Sequence, residues 1–276
     1  MNSPKEIFKQ FVPPIFVSLL RNTSSKKMEG TTFIGNHATW NEALVNSVGY
    51  ESEIILEKVK NATMKIVKGE AAYERDSILF DQIEYSWPLL SGLLHAASAN
   101  HNRLSVLDFG GSLGTTYFQN RAFLSHLDLL EWNIVEQANF VKCGKEFFEN
   151  EQLKFYFSFA DCLKEHKCNV AVLSSVLQYL ERPEEIINEL IGSGINYVII
   201  DKTLIHDFPE NKIVVQQVPE NIYRASYPAR FFNREKLLTP FLPKFKVLAE
   251  FDCYTGYQLN METLKAGYKG FLLERK

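Results

Sequence analysis

Charge of one sign, paired cysteines and long apolar runs are all scarce in this sequence of 276 residues. Lys and Arg number 30 against 33 Asp and Glu, a formal charge of −3 at pH 7. Without concentrated Lys and Arg there is little to neutralise phosphates, which argues against nucleic acid as the main partner. The four cysteines, Cys143, Cys162, Cys168 and Cys253, form no C-x-x-C pair, and no His lies at zinc-like spacing from two of them. They read as reduced, buried thiols of a cytoplasmic protein, and no metal is expected. No apolar run reaches the roughly 20 residues that span a bilayer. The nearest, Phe11 to Leu20, is interrupted by Pro13-Pro14 and followed by no clean small-residue cleavage site, so neither a span nor a secretory signal is expected. Two readings stand for it. One is a short helix packed on the domain; the other, given Lys5, Lys9, Arg21, Lys26 and Lys27 around it, is weak docking to an anionic membrane surface. Packing is preferred.

What is present is apolar mass: 46% hydrophobic and 13% aromatic residues supply a large core. The chain divides near residue 103. Residues 1–102 read as a helical extension or lid without strands, with helices over Ser52–Val67, Ser77–Tyr85 and Pro88–Asn100. From residue 103 short apolar runs alternate with amphipathic stretches. Strands are expected at Arg103–Phe109, Trp132–Glu136, Leu153–Phe159, Asn169–Ser174 and Tyr197–Lys202. Helices fall between them at Thr115–Leu130, Ala138–Glu149 and Pro183–Ile191. This alternation predicts a doubly wound, mostly parallel α/β sheet with helices on both faces over residues 103–276. Residues 203–245 read as an insertion-like acceptor region. They hold a short strand at Lys212–Val218, an irregular aromatic segment at Tyr223–Phe232 and a helix capped by Asn233. Strands at Lys246–Asp252 and Tyr268–Glu274 close the sheet.

The stretch from Val106 to Thr116 lies where the first strand ends and a helix begins, the place where open α/β sheets bind ligands. Glycines there let backbone approach a ligand. The spacing fails the G-x-G-x-x-G dinucleotide fingerprint, and no lysine completes a Walker-A loop. Asp108 stands two residues before the first glycine, at the expected mouth of the loop. A carboxylate there repels pyrophosphate and attracts a cationic ligand such as a sulfonium. A purely structural tight turn is the alternative.

Asp108-x-Gly110-x-Ser112-x-Gly114 resembles the first motif of class I S-adenosylmethionine-dependent methyltransferases, with serine at the usual middle glycine. The wider chain resembles a group of bacterial methyltransferases of this class often associated with surface-polysaccharide biosynthesis. Gly49–Ser52, Tyr73–Ser77, Tyr85–Leu90, Asp108–Asn120, Val135–Gln137, Ser174–Leu180 and Ala225–Pro228 carry the likeness. It implies a seven-stranded Rossmann-like sheet and S-adenosyl-L-methionine as cofactor, bound by Asp108, Gly110, Gly111, Ser112 and Gly114. It also implies an adenine corner at Ala160-Asp161, with Asp161 accepting from the exocyclic amine; an N-cap for the following short helix is an equal reading of Asp161. Ser174, Ser175 and Gln178 would lie beside the transferable methyl. Tyr179 reads as packing.

Glu136 ends the second strand, where an acidic side chain accepts from both ribose hydroxyls, a use the family shares. Methyl transfer from a sulfonium is an in-line displacement in which alignment supplies much of the rate, and an oxygen acceptor also needs a base. Asp201, at the end of the fifth strand, and His206, three residues past Thr203, are the candidate bases, with Asp201 favoured. Tyr223, Tyr227 and Arg230 offer phenol faces and a cation to a small-molecule or glycan-linked acceptor. An aromatic satellite core is an equal reading of that segment. Tyr85-Ser86-Trp87 is either part of a lid or plain packing. The competing functional class is a non-catalytic cofactor-binding or scaffold protein in polysaccharide assembly.

Overall fold

A computed structural model of the chain describes residues 32–48, 52–75, 77–218, 225–253 and 266–276; the Phe11–Leu20 segment and Tyr223 lie outside them. The N-terminal part is not purely helical. Among the described residues it begins with strand β1 (Thr32–His37) and helix α1 (Trp40–Val45), whose cap Thr39 accepts from the Glu42 amide at 3.2 Å while Glu42 Oε2 accepts from the Ala38 amide. Helix α2 (Ser52–Val67) follows its predicted bounds and buries Ile55, Val59, Ala62 and Ile66 on one stripe. The helix expected over Ser77–Tyr85 is instead a hairpin of β2 (Tyr73–Arg75) and β3 (Ile78–Phe80). Tyr73 and Phe80 pair across it with ring centroids 5.8 Å apart, and Ser77 turns the chain at φ +66°. Helix α3 (Trp87–Ser98) then starts with Pro88 in its first turn.

From here strands and helices alternate: β4 (Arg103–Phe109), α4 (Thr115–Leu124), β5 (Leu129–Val135), α5 (Ala138–Phe147), β6 (Leu153–Tyr156), α6 (Phe159–Glu165), β7 (Val170–Ser174), α7 (Pro183–Gly192) and β8 (Tyr197–His206). After β8 come β9 (Lys212–Gln217), β10 (Ser226–Asn233), α8 (Arg234–Leu238), β11 (Phe245–Asp252) and β12 (Ala266–Arg275). Seven strands form the order β6-β5-β4-β7-β8-β12-β11. Pairing is parallel from β6 to β8, and β12 runs antiparallel between β8 and β11. The expected doubly wound, mostly parallel arrangement is therefore present, its seven strands forming part of a ten-stranded sheet, with the Rossmann-like reversal of strand order at β4.

Alternation along the strands sorts two cores. Leu104, Val106, Trp132, Ile134, Val172 and Ile199 pack toward α2, α3, α4 and α5. Leu107, Val135, Ala171, Leu173, Val198 and Ile200 pack toward α6, α7 and α8. Each such buried aliphatic side chain contributes roughly 1.5–3 kcal/mol. β7 and the first half of β8 read as unbroken apolar runs because both of their faces are covered.

The sheet continues where the sequence showed a loop. β8 runs to His206, past the expected end at Lys202, and β7 stops opposite Asp201. Phe232 and Asn233 of β10 then take over the vacated edge, parallel to Ile205 and His206. β10 pairs antiparallel with β9, and β9 with β1. The segment read as irregular around Pro228 is thus a strand, and the N-terminal region supplies a strand to the same sheet. Proline fits because residues 226–231 pair only with β9.

Candidate functional site

The β4–α4 loop sits at the carboxyl end of the central strand, between β5 and β7, where the strand order reverses. Its backbone is left-handed at Gly110 (φ +73°), Ser112 (φ +55°) and Gly114 (φ +102°). Gly110 donates to the Val135 carbonyl at 3.0 Å, and a Cβ on it would lie 2.5 Å from Val176 Cγ2. Gly111 has no room either: its Cβ would stand 2.6 Å from the Asp108 carboxyl. Serine at 112 holds a conformation that costs a side-chain-bearing residue roughly 1–2 kcal/mol.

Asp108 is not at the mouth of this loop. Its carboxylate is turned inward beneath Gly111, 1% exposed, and accepts from Trp132 Nε1 at 2.9 Å. Burial pushes its pKa up to about 7, against the Trp132 hydrogen bond and with help from nearby Glu136. The direct electrostatic attraction expected of it is corrected: the carboxyl supports the loop from below. No protein cation pairs with it among the contacts described.

Glu136, one residue past β5, is the carboxylate that does reach the open space. Its Oε1 accepts from the Ser112 amide at 3.3 Å and its Oε2 from the Gln137 amide at 2.6 Å. Burial raises its pKa while those two amides lower it. An ionised carboxylate has about four lone-pair sites, so two further donors can still be met.

Loop and carboxylate border a cavity of about 640 Å³, within the usual range for small-molecule sites. Phe109, Gly110 and Ser112 line it from the loop, Glu136 and Phe157 from the ends of β5 and β6, and Ser175 and Tyr179 from the segment after β7. Tyr227 of β10 joins them, and the N-terminal region adds Trp40, Leu44, Ile55 and Val59. Tyr179 donates to Gln216 Oε1 at 3.0 Å, Gln216 Nε2 donates to the Tyr227 hydroxyl at 3.1 Å, and the two tyrosine rings meet edge to face at 5.4 Å.

Of the other residues expected at the cofactor, Ser175 lines the cavity and the rest lie elsewhere. Asp161 is in the first turn of α6, bonded reciprocally with the cap Ser158: the Asp161 amide donates to Ser158 Oγ at 3.1 Å, and Ser158 Oγ donates to Asp161 Oδ2 at 2.7 Å. Ala160 is exposed in the same turn. Ser174 Oγ donates to Asp201 Oδ2 at 3.0 Å. Gln178 is fully buried behind Ser175, donating to its Oγ and to the Lys202 carbonyl. Ser175 itself is left-handed at φ +55° and anchored through its amide to the Asp201 carbonyl.

Neither candidate base faces the cavity. Asp201 is fully buried and accepts from Ser86, Ser174 and Cys253, with Lys202 Nζ 3.8 Å away. His206 lies in β8 rather than in a loop and is 1% exposed. Its Nδ1 accepts from the Phe208 amide at 2.9 Å, which leaves Nε2 to donate to the Phe231 carbonyl at 3.2 Å. Burial lowers its pKa, so the ring is held neutral. Arg230 donates to the Glu181 carbonyl at 2.8 Å and covers the Trp40 ring. Ser86 reaches Asp201, and Tyr85 and Trp87 cluster with Phe123; the residues that cover the cavity come from α1 and α2 instead.

The sequence reading missed Phe157, Phe109, Val176 and Trp40. Phe157 carried a usable signal, an aromatic at the carboxyl end of a strand that leaves it 52% exposed. Among the described residues no three His, Cys, Asp or Glu side chains gather as metal ligands, and no helix is long and apolar enough to cross a membrane.

No protein-family model matches the chain, and no curated protein matches it. Solved structures similar to parts of the chain include the following three. The N-terminal domain of EvdMO1, crystallised in the presence of SAH and D-fucose, is 10% identical over 79% of this chain and 96% of its own, at a TM-score of 0.47. Magnesium protoporphyrin IX methyltransferase from Synechocystis PCC 6803 with bound SAH is 11% identical over 82% of this chain and 100% of its own, at 0.46. The amino pentose methyltransferase CalS10 from Micromonospora echinaspora, with SAM bound, is 11% identical over 70% and 92%, at 0.43. The fold itself rests on the strand order and pairings above.

Proposed function

We propose that this chain is an S-adenosyl-L-methionine-dependent methyltransferase acting on a small or carbohydrate-linked acceptor. One observation carries the reading: a left-handed loop at the end of the central strand and the Glu136 carboxylate border a single cavity of about 640 Å³. The residues fit the cofactor. Cβ-free positions at Gly110 and Gly111 allow the turn, and Glu136 retains acceptor capacity for a pair of adjacent hydroxyls. Phe157 and Phe109 provide apolar surface for a base, and Ser112 and Ser175 are polar groups on the same wall. Bound there, the cofactor supplies an electrophilic methyl group on a sulfonium.

In this reading Asp108, Gly111 and Gly114 shape the loop without touching the ligand. Trp40, Tyr179 and Tyr227 offer ring faces and phenol oxygens to a sugar or another ring-shaped acceptor. Trp40 and Leu44 of α1 and Ile55 and Val59 of α2 line one wall of the cavity, and to them we assign the lid role expected of the N-terminal region. We place the activity in the cytoplasm and in surface-polysaccharide biosynthesis, on the strength of the sequence resemblance.

A second reading has its own observation. Asp201 and His206 are both consumed by internal hydrogen bonds, which favours a cofactor-binding protein that transfers nothing. Incubation with labelled methyl donor and host extract separates the two. Labelled glycans or small metabolites support the enzyme; cofactor binding without any labelled product supports the scaffold; label in protein or nucleic acid alone overturns the acceptor class.

A further inference from the structure

At the opposite end of the sheet from the cofactor cavity lies a second, polar cavity of about 900 Å³, bordered by Ser105, Glu131, His166 and Cys168. Cys168 precedes β7, and its Sγ is 3.9 Å from Sγ of Cys162 in α6. Cys162 is fully buried, whereas Cys168 retains 6% exposure on the cavity side. A carboxylate base lies within reach of Cys168 through one hydroxyl. Ser105 has one hydroxyl proton, and Glu131 Oε2 at 2.7 Å takes it. The 3.8 Å contact between Ser105 Oγ and Cys168 Sγ is then left for the thiol proton. A relay from Cys168 through Ser105 to Glu131 results, with Glu131 also 3.4 Å from His166 Nδ1. Asn133 Nδ2 donates to the same sulfur at 3.8 Å.

We propose that Cys162 and Cys168 form a peroxide-oxidisable dithiol, Cys168 attacking and Cys162 resolving. The Cys168 proton passes through Ser105 to Glu131, and the thiolate attacks one oxygen of hydrogen peroxide. The S–O bond forms as the O–O bond breaks, and the departing hydroxide takes the proton from Glu131 and leaves as water. The Cys162 sulfur then attacks the sulfenic sulfur of Cys168, forming S–S and breaking S–O. The departing hydroxide takes the Cys162 proton as a second water. Two thiols and one peroxide give one disulfide and two waters.

The hydrogen bond from Cys162 pulls the Cys168 thiol below its usual range against burial and the Glu131 carboxylate, and the same contact pushes Cys162 up, so Cys168 is the thiol that ionises first. The other cysteines serve as internal controls. Cys253 is more exposed than Cys168, yet burial and the Asp201 carboxylate push its thiol up; burial also raises Cys143. Exposure alone therefore selects Cys253, and the relay selects Cys168.

The test treats the full chain with hydrogen peroxide under native conditions, alkylates remaining thiols, and reads tryptic peptides by mass spectrometry. Lys164 and Lys167 lie between the two cysteines, so a disulfide survives digestion as two linked peptides. The expected result is linkage of Cys162 to Cys168, two hydrogens lighter than the reduced pair, while Cys143 and Cys253 remain alkylated. In C162S, dimedone should trap Cys168 as the sulfenic acid, and Ser105→Ala should slow oxidation by at least about tenfold. Oxidation of Cys253 or Cys143 first, or of Cys168 with no linkage to Cys162, overturns the proposal, and so does an unchanged rate in Ser105→Ala.

Discussion

Gly111 passes so closely over Asp108 that a Cβ on the glycine would stand 2.6 Å from the carboxyl carbon. From the other side Trp132 holds the same carboxyl through its indole N–H at 2.9 Å. The loop that borders the cavity thus rests on a buried acid whose position leaves no slack.

Substituting Gly111 by Ala forces that acid or the loop to move. Overpacking of this kind costs about 1–3 kcal/mol. Chemical denaturation should show a loss in that range, and affinity for S-adenosyl-L-methionine should fall with it. A variant as stable as the parent would show that the loop can slide off Asp108.

Asp108 should also leave a signature in stability against pH. Its pKa rises from 3.8 to about 7 on folding, because burial disfavours the charged form. The folded state then binds the proton more tightly than the unfolded one. Its contribution is complete below pH 4 and is lost as pH rises through 7, up to about 4 kcal/mol. Asp108→Asn keeps an acceptor for Trp132 and cannot ionise. Relative to the parent it should gain stability between pH 4 and 8, measured by urea unfolding at each pH. Parallel curves would mean that the carboxyl stays near its ordinary pKa.

Ser112 occupies a left-handed conformation, φ +55°, that glycine adopts freely. Ser112→Gly should therefore raise stability by about 0.5–1 kcal/mol while keeping the amide that donates to Glu136. Thermal unfolding checks this. A destabilised variant would show that the serine hydroxyl makes up for the strain.

The central parallel strands were legible because a strand buried on both faces is an unbroken apolar run, as in Val170–Leu173 and Val198–Ile200. The candidate site was legible where local backbone dictates residue type, at Gly110 and in the supporting turn at Gly111, and where a strand end presents an acid, at Glu136. What escaped depends on tertiary partners. β10 hides behind Pro228, and only its pairing with β9 makes that proline harmless. The β2–β3 hairpin is too short for periodicity to separate from a helix. Nothing local distinguishes Asp201 and Asp108, turned inward, from Glu136, turned toward the cavity. That difference is set by Ser86, Ser174 and Cys253 around one acid and Trp132 against the other, all distant in sequence. Trp40 reaches the cavity because β1 pairs with β9, a contact between residues far apart in the chain.

Calorimetric titration of the full chain with S-adenosyl-L-methionine, alongside Glu136→Gln, tests the central claim most directly. Losing a charged acceptor for two hydroxyls weakens binding by about 10–100-fold. The parent should bind one equivalent, and the variant should bind more weakly by that factor with its circular dichroism unchanged. No heat from the parent, or equal affinity in both proteins, would contradict the assignment of this cavity to the methyl donor.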